Sequence, residues 1–546
     1  MAYTVGELVA DFLPAVGVNT AFGIVSVHNI PMLDALSQRN AVRYVMARGE
    51  MGGTHMADAY ARVARHLGVV FTSTGPGAAN AVPGLVEARF AGSPVLHITG
   101  QTATKFIDRD MGTVHDVPGQ TAMLASVCKR AFRVRAPQEA LATLMAAATA
   151  ALTPPMGPVS VEVPIDIQRM EVARPDWSSI ALSLPPAAPP EPLGLAAAIA
   201  VLKAAKRPML WLGNGAKGAR EAALRLLDLG FCAVTSWNGR GVIAEDDPRT
   251  LGGLHGAGSP PVVEFYGSCD AMLVVGSRLR GHETMEFSLK LPRPLIHVDI
   301  DPAAHGRTYQ PEIFVQGDAA LTMHAIADAL EFKGEEFQLE LAALKSRAVA
   351  EYARGLGPYE SFPATLRKAM PKDALWVRDI TISNSAWGNR IMPVLGPNDA
   401  VHPVGAAIGP GLPLGIGAAL AGNGRKAIAM VGDGGFAMNM PELWTAVQEQ
   451  AELVIMVMND RGYGVIRHIQ DYAAGRRFYH DLQGPDLMQL AALAGLPGLR
   501  VSRIEDFGPM VEKAFATRGP VLLEIDMATI GEHPPYAPYD RVRKAG

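Results

Sequence analysis

Residues 430–464, MVGDGGFAMNMPELWTAVQEQAELVIMVMNDRGYG, form the pattern of a strand, a helix and a second strand, with polar residues where each strand ends. Asp433 lies between glycines after the first apolar run, and Asn459 and Asp460 follow the second. The carboxyl ends of parallel strands meet at one edge of a sheet, so the two aspartates are expected to lie close together. Neighbouring carboxylates indicate a cation, and the glycines let backbone N–H groups approach a phosphate.

A divalent cation between Asp433 and the phosphate would remove their repulsion. Mg²⁺ takes oxygen ligands in octahedral geometry, usually a few from the protein and the rest from phosphates and water. Asp433, Asp460 and a backbone carbonyl near Gly462 fit this requirement, and the helix after the turn is expected to begin near Pro441. Gly-Asp-Gly alone is also the composition of an ordinary tight turn, but Asn459-Asp460 one strand later favours the metal site.

The composition sets the outer limits on fold and partners. A chain of 546 residues is too long for one core and predicts about three domains. A net charge of -4 without a long basic run argues against nucleic acid and anionic membranes as partners. With no signal peptide and no apolar run long enough to span a bilayer, a cytoplasmic protein is expected. Cys128, Cys232 and Cys269 have no metal-binding spacing and predict buried thiols in a reducing compartment.

Short β-branched runs alternate with helical stretches almost throughout, which is typical of an α/β protein with parallel sheets. We predict three domains, residues 1–175, 191–332 and 358–546, each a mostly parallel sheet flanked by helices. A proline-rich stretch at 174–194 separates the first two domains, and a charged helical segment at 331–355 precedes the third. Apolar runs predict five strands in the first domain and four in each of the others.

The turn at Gly432-Asp433-Gly434, followed by Asn459-Asp460, resembles the diphosphate-binding signature of thiamine diphosphate (ThDP) enzymes. The three-domain layout is similar to that of the acetolactate synthase, benzoylformate decarboxylase and benzaldehyde lyase group, and the resemblance covers nearly the whole chain. It implies pyrimidine-binding, central and diphosphate-binding domains, with ThDP and Mg²⁺ as cofactors. The family's second asparagine is Asp460 here, which keeps a hard oxygen ligand and adds negative charge.

The same resemblance assigns roles in the third domain. Ile408 matches the bulky apolar residue that holds the cofactor bent, and Asp433, Asp460 and Gly462 would hold the metal. The implied cofactor contacts of this domain are Ile408, Gly432, Asp433, Gly434, Gly435, Asp460, Gly462 and Tyr463.

In the first domain, Glu50 lies between a predicted strand and a predicted helix. The matching glutamate of the family bonds the aminopyrimidine and promotes deprotonation of the thiazolium C2, which needs a partly desolvated carboxylate. Gly49 stands where the family often has histidine. TSTGPGAAN resembles the loop near the pyrimidine and supplies Ser73 and Asn80, with Asn80 expected to start or cap the next helix. Because Glu50 and the metal motif lie in different domains, the resemblance implies a site shared between subunits of a homodimer or homotetramer.

The resemblance implies a decarboxylase or carboligase that acts on a 2-oxo acid through a C2 ylide and an enamine. His28 favours an alternative, a lyase or hydrolase that cleaves 2-hydroxyketones or 1,2-diketones. His28 falls where benzaldehyde lyase-like enzymes have a histidine, and His115 falls near a substrate-facing element. Ile469 replaces a tryptophan that helps acetolactate synthases choose their second substrate. A non-catalytic ThDP-binding homologue is a further alternative, which the presence of Glu50 disfavours.

The central domain carries a G-x-G-x-x-G pattern at Gly213, Gly215 and Gly218, the dinucleotide fingerprint. An NAD oxidoreductase is the weakest alternative, because no acidic residue ends the following predicted strand. Arg278 lies in a stretch that resembles FAD-contacting segments, so FAD, ADP or no ligand all stay open for this domain. The C-terminal stretch 530–546 is expected either to cover the active site or to lie free.

Overall fold

Three parallel β-sheets, each covered by helices, follow one another along the chain in the computed structural model, which describes residues 3–255 and 259–535. Within those residues the sheets have six, five and six strands. No helix among the described residues is both long and apolar enough to cross a bilayer. The last eleven residues of the C-terminal stretch, 536–546, lie outside the described residues, so the prediction for this stretch stays untested.

The first sheet has the strand order β2-β1-β3-β4-β6-β5. Its strands are β1 Thr20–Gly23, β2 Arg43–Met46, β3 Gly68–Thr72, β4 Val95–Gln101, β5 Arg130–Arg133 and β6 Val159–Pro164. The helices are α1 Val5–Ala15, α2 Ile30–Arg39, α3 Glu50–Ala64, α4 Pro76–Ala91, α5 Gln120–Val127, α6 Ala140–Leu152 and α7 Ile165–Gln168. The central strands β3 and β4 are buried along their whole length, as expected where helices cover both faces of a parallel sheet.

The second sheet has the order β11-β10-β9-β7-β8. Its strands are β7 Pro208–Leu212, β8 Cys232–Thr235, β9 Ala271–Val275, β10 Leu295–Asp299 and β11 Ile313–Gln316. The helices of this part are α8 Pro192–Ala204, α9 Arg220–Asp228, α10 Pro260–Tyr266, α11 Ala319–Asp328 and α12 Glu336–Arg354. Cys128 and Cys232 are buried as predicted, whereas Cys269, just before β9, is partly exposed.

The third sheet has the order β13-β12-β14-β15-β17-β16, which repeats the order of the first sheet strand for strand. Its strands are β12 Leu375–Arg378, β13 Ala400–Val401, β14 Ala427–Gly432, β15 Leu453–Asn459, β16 Gly498–Val501 and β17 Val521–Asp526. The helices are α13 Phe362–Ala369, α14 Gly411–Ala421, α15 Asp433–Met438, α16 Glu442–Gln448, α17 Gly464–Ala474, α18 Leu487–Ala494, α19 Phe507–Ala516 and α20 Met527–Ile530. The first and third domains therefore share one topology around a different centre.

The first and third domains pack against each other through α3 and α14, which share one apolar core. Glycine makes the close approach feasible, since a side chain on Gly417 of α14 would collide with the backbone carbonyl of Met56 in α3. The helix that begins at Glu50 is therefore held against the third domain.

The four strands that the sequence did not predict, β5, β11, β13 and β16, all lie at sheet edges. β5, β11 and β16 are partly solvated and β13 has only two residues, so none of them has the long apolar run that marks a central strand. The helix predicted near Pro441 is confirmed, since α16 begins at Glu442 with Pro441 as its N-cap, but a short helix that was not predicted begins earlier, at Asp433. Helix α4 likewise begins at Pro76, so Asn80 lies inside that helix and does not cap it.

Candidate active site

Asp433 and Asp460 come together at the carboxyl ends of two neighbouring strands. β14 and β15 pair in parallel with Gly432 opposite Met458, which brings the residues after each strand to the same sheet edge. Burial raises the pKa of both carboxyls; for Asp460, the Arg467 cation opposes this rise and the Asp433 carboxyl adds to it. Two such groups in contact are stabilised in their ionised form by a cation.

The donor set around these aspartates fits a magnesium ion. Oδ1 of Asp433 is buried and has no hydrogen-bond partner among the described residues, so one carboxylate oxygen is available to a ligand. Asp460 makes an ion pair with Arg467 at 2.8 Å between Oδ2 and Nη2. No set of three His, Cys, Asp or Glu side chains suited to a metal occurs in the described residues. Two carboxylates and the Gly462 carbonyl would leave the remaining positions of an octahedron to phosphate and water.

A narrow cleft, with a cavity volume of about 20 Å³, lies beside the two aspartates. Its lining includes the predicted residues Ile408, Gly432, Gly434, Gly435, Asp460, Gly462 and Tyr463, together with Ile380, Thr381, Ile382, Gly464, Val465 and Ile466. Glycine is required on its wall, because a Cβ on Gly434 would lie 2.7 Å from the Tyr463 ring. The third-domain residues predicted from the sequence thus share one cleft or its immediate edge.

The loop that carries Ile408 is fixed at both ends by buried carboxylates, neither of which was predicted from the sequence. Glu87 of α4 accepts hydrogen bonds from the backbone N–H groups of Val404 at 2.6 Å and Gly405 at 2.8 Å. Asp379, which follows β12, accepts from the N–H groups of Gly409 at 3.0 Å and Gly411 at 3.1 Å, and burial raises its pKa to about 7. The first and third domains therefore position Ile408 together.

Glu50 is the first residue of α3 and is half-buried. Nδ2 of Asn80 donates to Oε2 of Glu50 at 3.3 Å, and a Cβ on Gly77 would lie 2.8 Å from Oε1 of Glu50. The glycine therefore leaves the carboxylate its space. On the other side, Glu442 of α16 accepts hydrogen bonds from the backbone N–H groups of Arg48 and Gly49, which ties the start of α3 to the third domain.

His28 and His115 lie side by side, with ring centroids 5.2 Å apart. Burial, assisted by His115, lowers the pKa of His28, and Nδ1 of His28 has no hydrogen-bond partner in the described residues. Nδ1 of His115 lies 3.5 Å from the hydroxyl of buried Ser73. His115 has a φ of +64°, a left-handed conformation that is uncommon outside glycine and places its carbonyl against Gly75. The two predicted histidines thus form a pair next to the predicted loop.

Within residues 3–255 and 259–535, the predicted residues fall into two groups that no hydrogen bond or ion pair connects. The first-domain group is His28, Glu50, Ser73, Asn80 and His115. The third-domain group is the cleft with Ile408, the glycine-rich turn and the two aspartates, and its described lining comes from the third domain alone.

A second cleft lies at the central domain, on the side of the G-x-G-x-x-G loop. It is lined in part by Gly215, Gly218 and Arg278, with Asp299 at the end of β10. Two glycines of the pattern and Arg278 thus border one cleft, and the ligand of this domain stays open.

Of the two carboxylates that sequence reasoning missed, Asp379 carries a signal that the strand-end rule could have used. Asp379 stands at the end of the predicted strand ALWVRDI, in the position that singled out Asp433 and Asp460 after theirs. Glu87 carries no such signal, because its role depends on a contact with residues more than three hundred positions away.

Comparison with known proteins gives matches along most of the chain. Three models of thiamine pyrophosphate enzymes (the older name of ThDP) match: the N-terminal TPP binding domain over residues 3–123, the central domain over 195–326 and the C-terminal TPP binding domain over 382–525. Nothing in these comparisons supports FAD.

Individual relatives agree with these models. The chain is 32% identical over 471 residues to a probable 2-ketoarginine decarboxylase of Pseudomonas aeruginosa. The aligned region covers 85% of this chain and 83% of that protein. It is 30% identical over 545 residues to a probable acetolactate synthase large subunit of Methanocaldococcus jannaschii, with 95% and 91% covered. An acetolactate synthase of Brassica napus is 27% identical over 553 residues, with 95% and 83% covered. The chain therefore belongs to the thiamine pyrophosphate enzyme family, as a ThDP-dependent enzyme of its acetolactate synthase-like group.

Proposed function

We propose that the protein is a ThDP- and Mg²⁺-dependent decarboxylase or carboligase that acts on a 2-oxo acid. The observation that carries this proposal is the meeting of Asp433 and Asp460 at the edge of a cleft, with one buried oxygen of Asp433 lacking a partner among the described residues. The relatives named as a 2-ketoarginine decarboxylase and as acetolactate synthases support the substrate class.

Each residue has a defined task in this proposal. Asp433, Asp460 and the Gly462 carbonyl would hold Mg²⁺, which would offset the negative charge of the cofactor's diphosphate. When bound, ThDP supplies a carbon nucleophile that adds to a carbonyl and then accepts the electrons released as a C–C bond breaks. The Glu50 carboxylate, kept half-buried by α3 and Asn80, takes and returns a proton at Oε1 or Oε2. Ile408, on its doubly fixed loop, sets the shape of the bound cofactor.

The histidine pair supports a second candidate, cleavage of a C–C bond in a 2-hydroxyketone or a 1,2-diketone. A neutral imidazole can take the hydroxyl proton whose departure accompanies this cleavage. His28 meets that need, because its lowered pKa keeps it neutral at pH 7 and its Nδ1 has no partner in the described part of the chain.

A substrate screen separates the two candidates. Pyruvate, benzoylformate, glyoxylate and 5-guanidino-2-oxopentanoate would be offered as 2-oxo acids, and acetoin and benzoin as hydroxyketones, each with ThDP and Mg²⁺. We expect release of carbon dioxide from at least one 2-oxo acid. Aldehyde release from hydroxyketones without carbon dioxide from any 2-oxo acid would support the second candidate instead, and inactivity on both groups would contradict both.

We further propose that two copies of the chain build the active site, with Glu50 of one facing the metal site of the other. The lack of any hydrogen bond or ion pair between the two groups within the described residues supports this arrangement. Coexpression of Glu50→Gln and Asp433→Ala chains tests it, since each homodimer would lack an essential residue at both sites. A heterodimer would regain one intact site, giving about a quarter of wild-type activity after random pairing. If each site lies within one chain, the mixture would be as inactive as either variant alone.

A further inference from the structure

Arg378, the last residue of β12, is a buried cation with an unpaired edge. Its side chain is 0% exposed. Nη1 donates to the Gly388 carbonyl at 3.3 Å, whereas Nε and Nη2 have no hydrogen-bond partner in the described part of the chain. Nε and Nη2 lie on one edge of the planar guanidinium, the edge that grips an anion with two parallel N–H groups. Burial of a guanidinium, which does not lose its proton, is costly unless a negative charge is supplied.

Glu245 is an acidic side chain whose charge acts on Arg378, but its oxygens are already used. Arg240 grips Glu245 with Nε at 2.8 Å and Nη2 at 2.5 Å, and the backbone N–H of Val394 donates to it at 2.9 Å. Arg240 also donates to the Gly388 carbonyl at 2.7 Å, so two guanidinium groups share that one oxygen. The pair of arginines and the single glutamate leave one positive charge without a partner among these three groups.

The other charged groups near Arg378 do not cancel this charge. Asp379, its neighbour in sequence, directs its carboxylate to backbone N–H groups of the loop that carries Ile408. Lys217 of the central domain adds a second basic group whose pKa Arg378 helps to lower, after burial itself. Neither Asp379 nor Lys217 therefore supplies a negative charge to the open edge of Arg378.

A π-helical turn, Asn384–Gly388, lies directly beside the guanidinium. A Cβ on Gly388 would lie 2.9 Å from Oδ1 of Asn384 and 3.5 Å from Cδ of Arg378, so both side chains flank the same backbone. Asn384 is 0% exposed, and neither its Nδ2 nor its Oδ1 has a partner among the described residues. Such turns are rare and occur often at functional sites. Asn384 and Arg378 thus border the same glycine, and each has buried polar atoms without a partner among the described residues.

We propose that the Nε–Nη2 edge of Arg378 and the Asn384 amide bind one small inorganic anion of the size of chloride. The full burial of Arg378 and Asn384 restricts the ligand to an ion of this size. Because Arg240 of the central domain and Arg378 of the third share the Gly388 carbonyl, the anion would offset the charge where these domains meet. Its occupancy would then stabilise the fold independently of ThDP and of the reaction.

Thermal unfolding in chloride tests the proposal. Potassium gluconate, whose anion is too large for the site, is replaced stepwise by potassium chloride at constant ionic strength. We expect the melting temperature of the wild type to rise with chloride and to level off as one site fills. Arg378→Gln should lose this rise, whereas Arg503→Gln, at an arginine that is 65% exposed, should keep it. An equal response to chloride in wild type and Arg378→Gln would overturn the proposal.

If Arg378→Gln does not fold, crystals of the wild type decide the question. After growth or soaking in sodium bromide, anomalous diffraction locates bromide ions without ambiguity from water. A bromide peak within hydrogen-bond distance of Nε and Nη2 of Arg378 is expected. Ordinary water density at that edge, with bromide bound elsewhere on the surface, would show an adequately hydrated arginine and refute the anion site.

Discussion

The first-domain group and the third-domain group differ in how completely one chain builds them. In the third domain, the aspartates stand at paired strand ends, and the Ile408 loop is fixed by Glu87 and Asp379. In the first domain, His115 is exposed, and Val27 and Val114 beside the histidines are 60% and 70% exposed. Apolar side chains so exposed next to polar groups are typical of a surface that another molecule covers. Under the proposal of a shared site, the third-domain group is preformed within one chain and the first-domain group is completed by the partner copy.

The largest effect is expected on ThDP binding, at Asp433 in the third-domain group. Asp433→Ala should abolish ThDP binding without unfolding the protein, because it removes a metal ligand from a strand end whose backbone stays paired. Titration calorimetry with ThDP and Mg²⁺, together with a melting curve, measures both quantities. Asp373→Ala, at an exposed carboxylate of the same domain, serves as the control and should bind normally. Normal affinity in Asp433→Ala would refute the metal site.

The next largest loss of activity is expected at Glu50, in the first-domain group. Glu50→Gln should bind ThDP but lose about 10⁴-fold in turnover, because an amide forms hydrogen bonds yet does not exchange a proton as a carboxylate does. Proton–deuterium exchange at the cofactor C2 reports this step without any substrate. Glu336→Gln is the matched control, since Glu336 is also the first residue of a helix. Exchange at the wild-type rate in Glu50→Gln would remove this glutamate from the mechanism.

His28→Ala should cost about 10²–10⁴-fold in turnover and leave ThDP affinity unchanged, the usual size for general acid–base catalysis. If His28 only stabilises its loop, the variant should instead lose about 1 kcal/mol of stability with turnover per folded molecule unchanged. Steady-state kinetics beside a melting curve distinguish these outcomes. His66→Ala, which removes another half-buried histidine, is the control.

The pH dependence of turnover gives a separate test of the histidine pair. The pKa of His28 lies below the ordinary histidine value of 6.5, so the ring stays neutral at pH 6.5 and somewhat below it. Activity that needs the neutral ring should therefore fall only at more acidic pH. His115→Ala removes one of the causes of the lowering and should move the acidic limb of the profile upward, toward 6.5. A limb that does not move in His115→Ala would mean that another group titrates there.

The contrast between the two groups also explains which parts of the site could be predicted from the sequence. Asp433 and Asp460 follow central strands, whose apolar runs are plain, so the rule for strand ends is sufficient to place the two carboxylates together. The edge strands β5, β11, β13 and β16 have no such runs, and the sequence pattern therefore does not predict them. Glu87 and the pairing of His28 with His115 depend on loop paths between distant segments, which periodicity does not encode.

The smallest effect is expected at Asp460, where this chain departs from the asparagine of its family. Asp460→Asn keeps an oxygen ligand and removes a charge that Arg467 already offsets in part through the 2.8 Å ion pair. We therefore expect ThDP still to bind, with Mg²⁺ affinity lowered by about tenfold or less, equivalent to about 1.4 kcal/mol. Titration of Mg²⁺ at saturating ThDP measures the change.

Arg467→Gln shows whether the ion pair is the reason that Asp460→Asn is mild. Without the guanidinium, the full charge of Asp460 faces the metal, so Mg²⁺ should bind more tightly in Arg467→Gln than in the wild type. Asp460→Asn should then cost more in the Arg467→Gln background than alone, which is the coupling that a double-mutant cycle isolates. Additive effects would show that Arg467 acts only on the fold of α17. Loss of ThDP binding in Asp460→Asn as complete as in Asp433→Ala would instead make the charge of Asp460 essential, and the two aspartates equivalent.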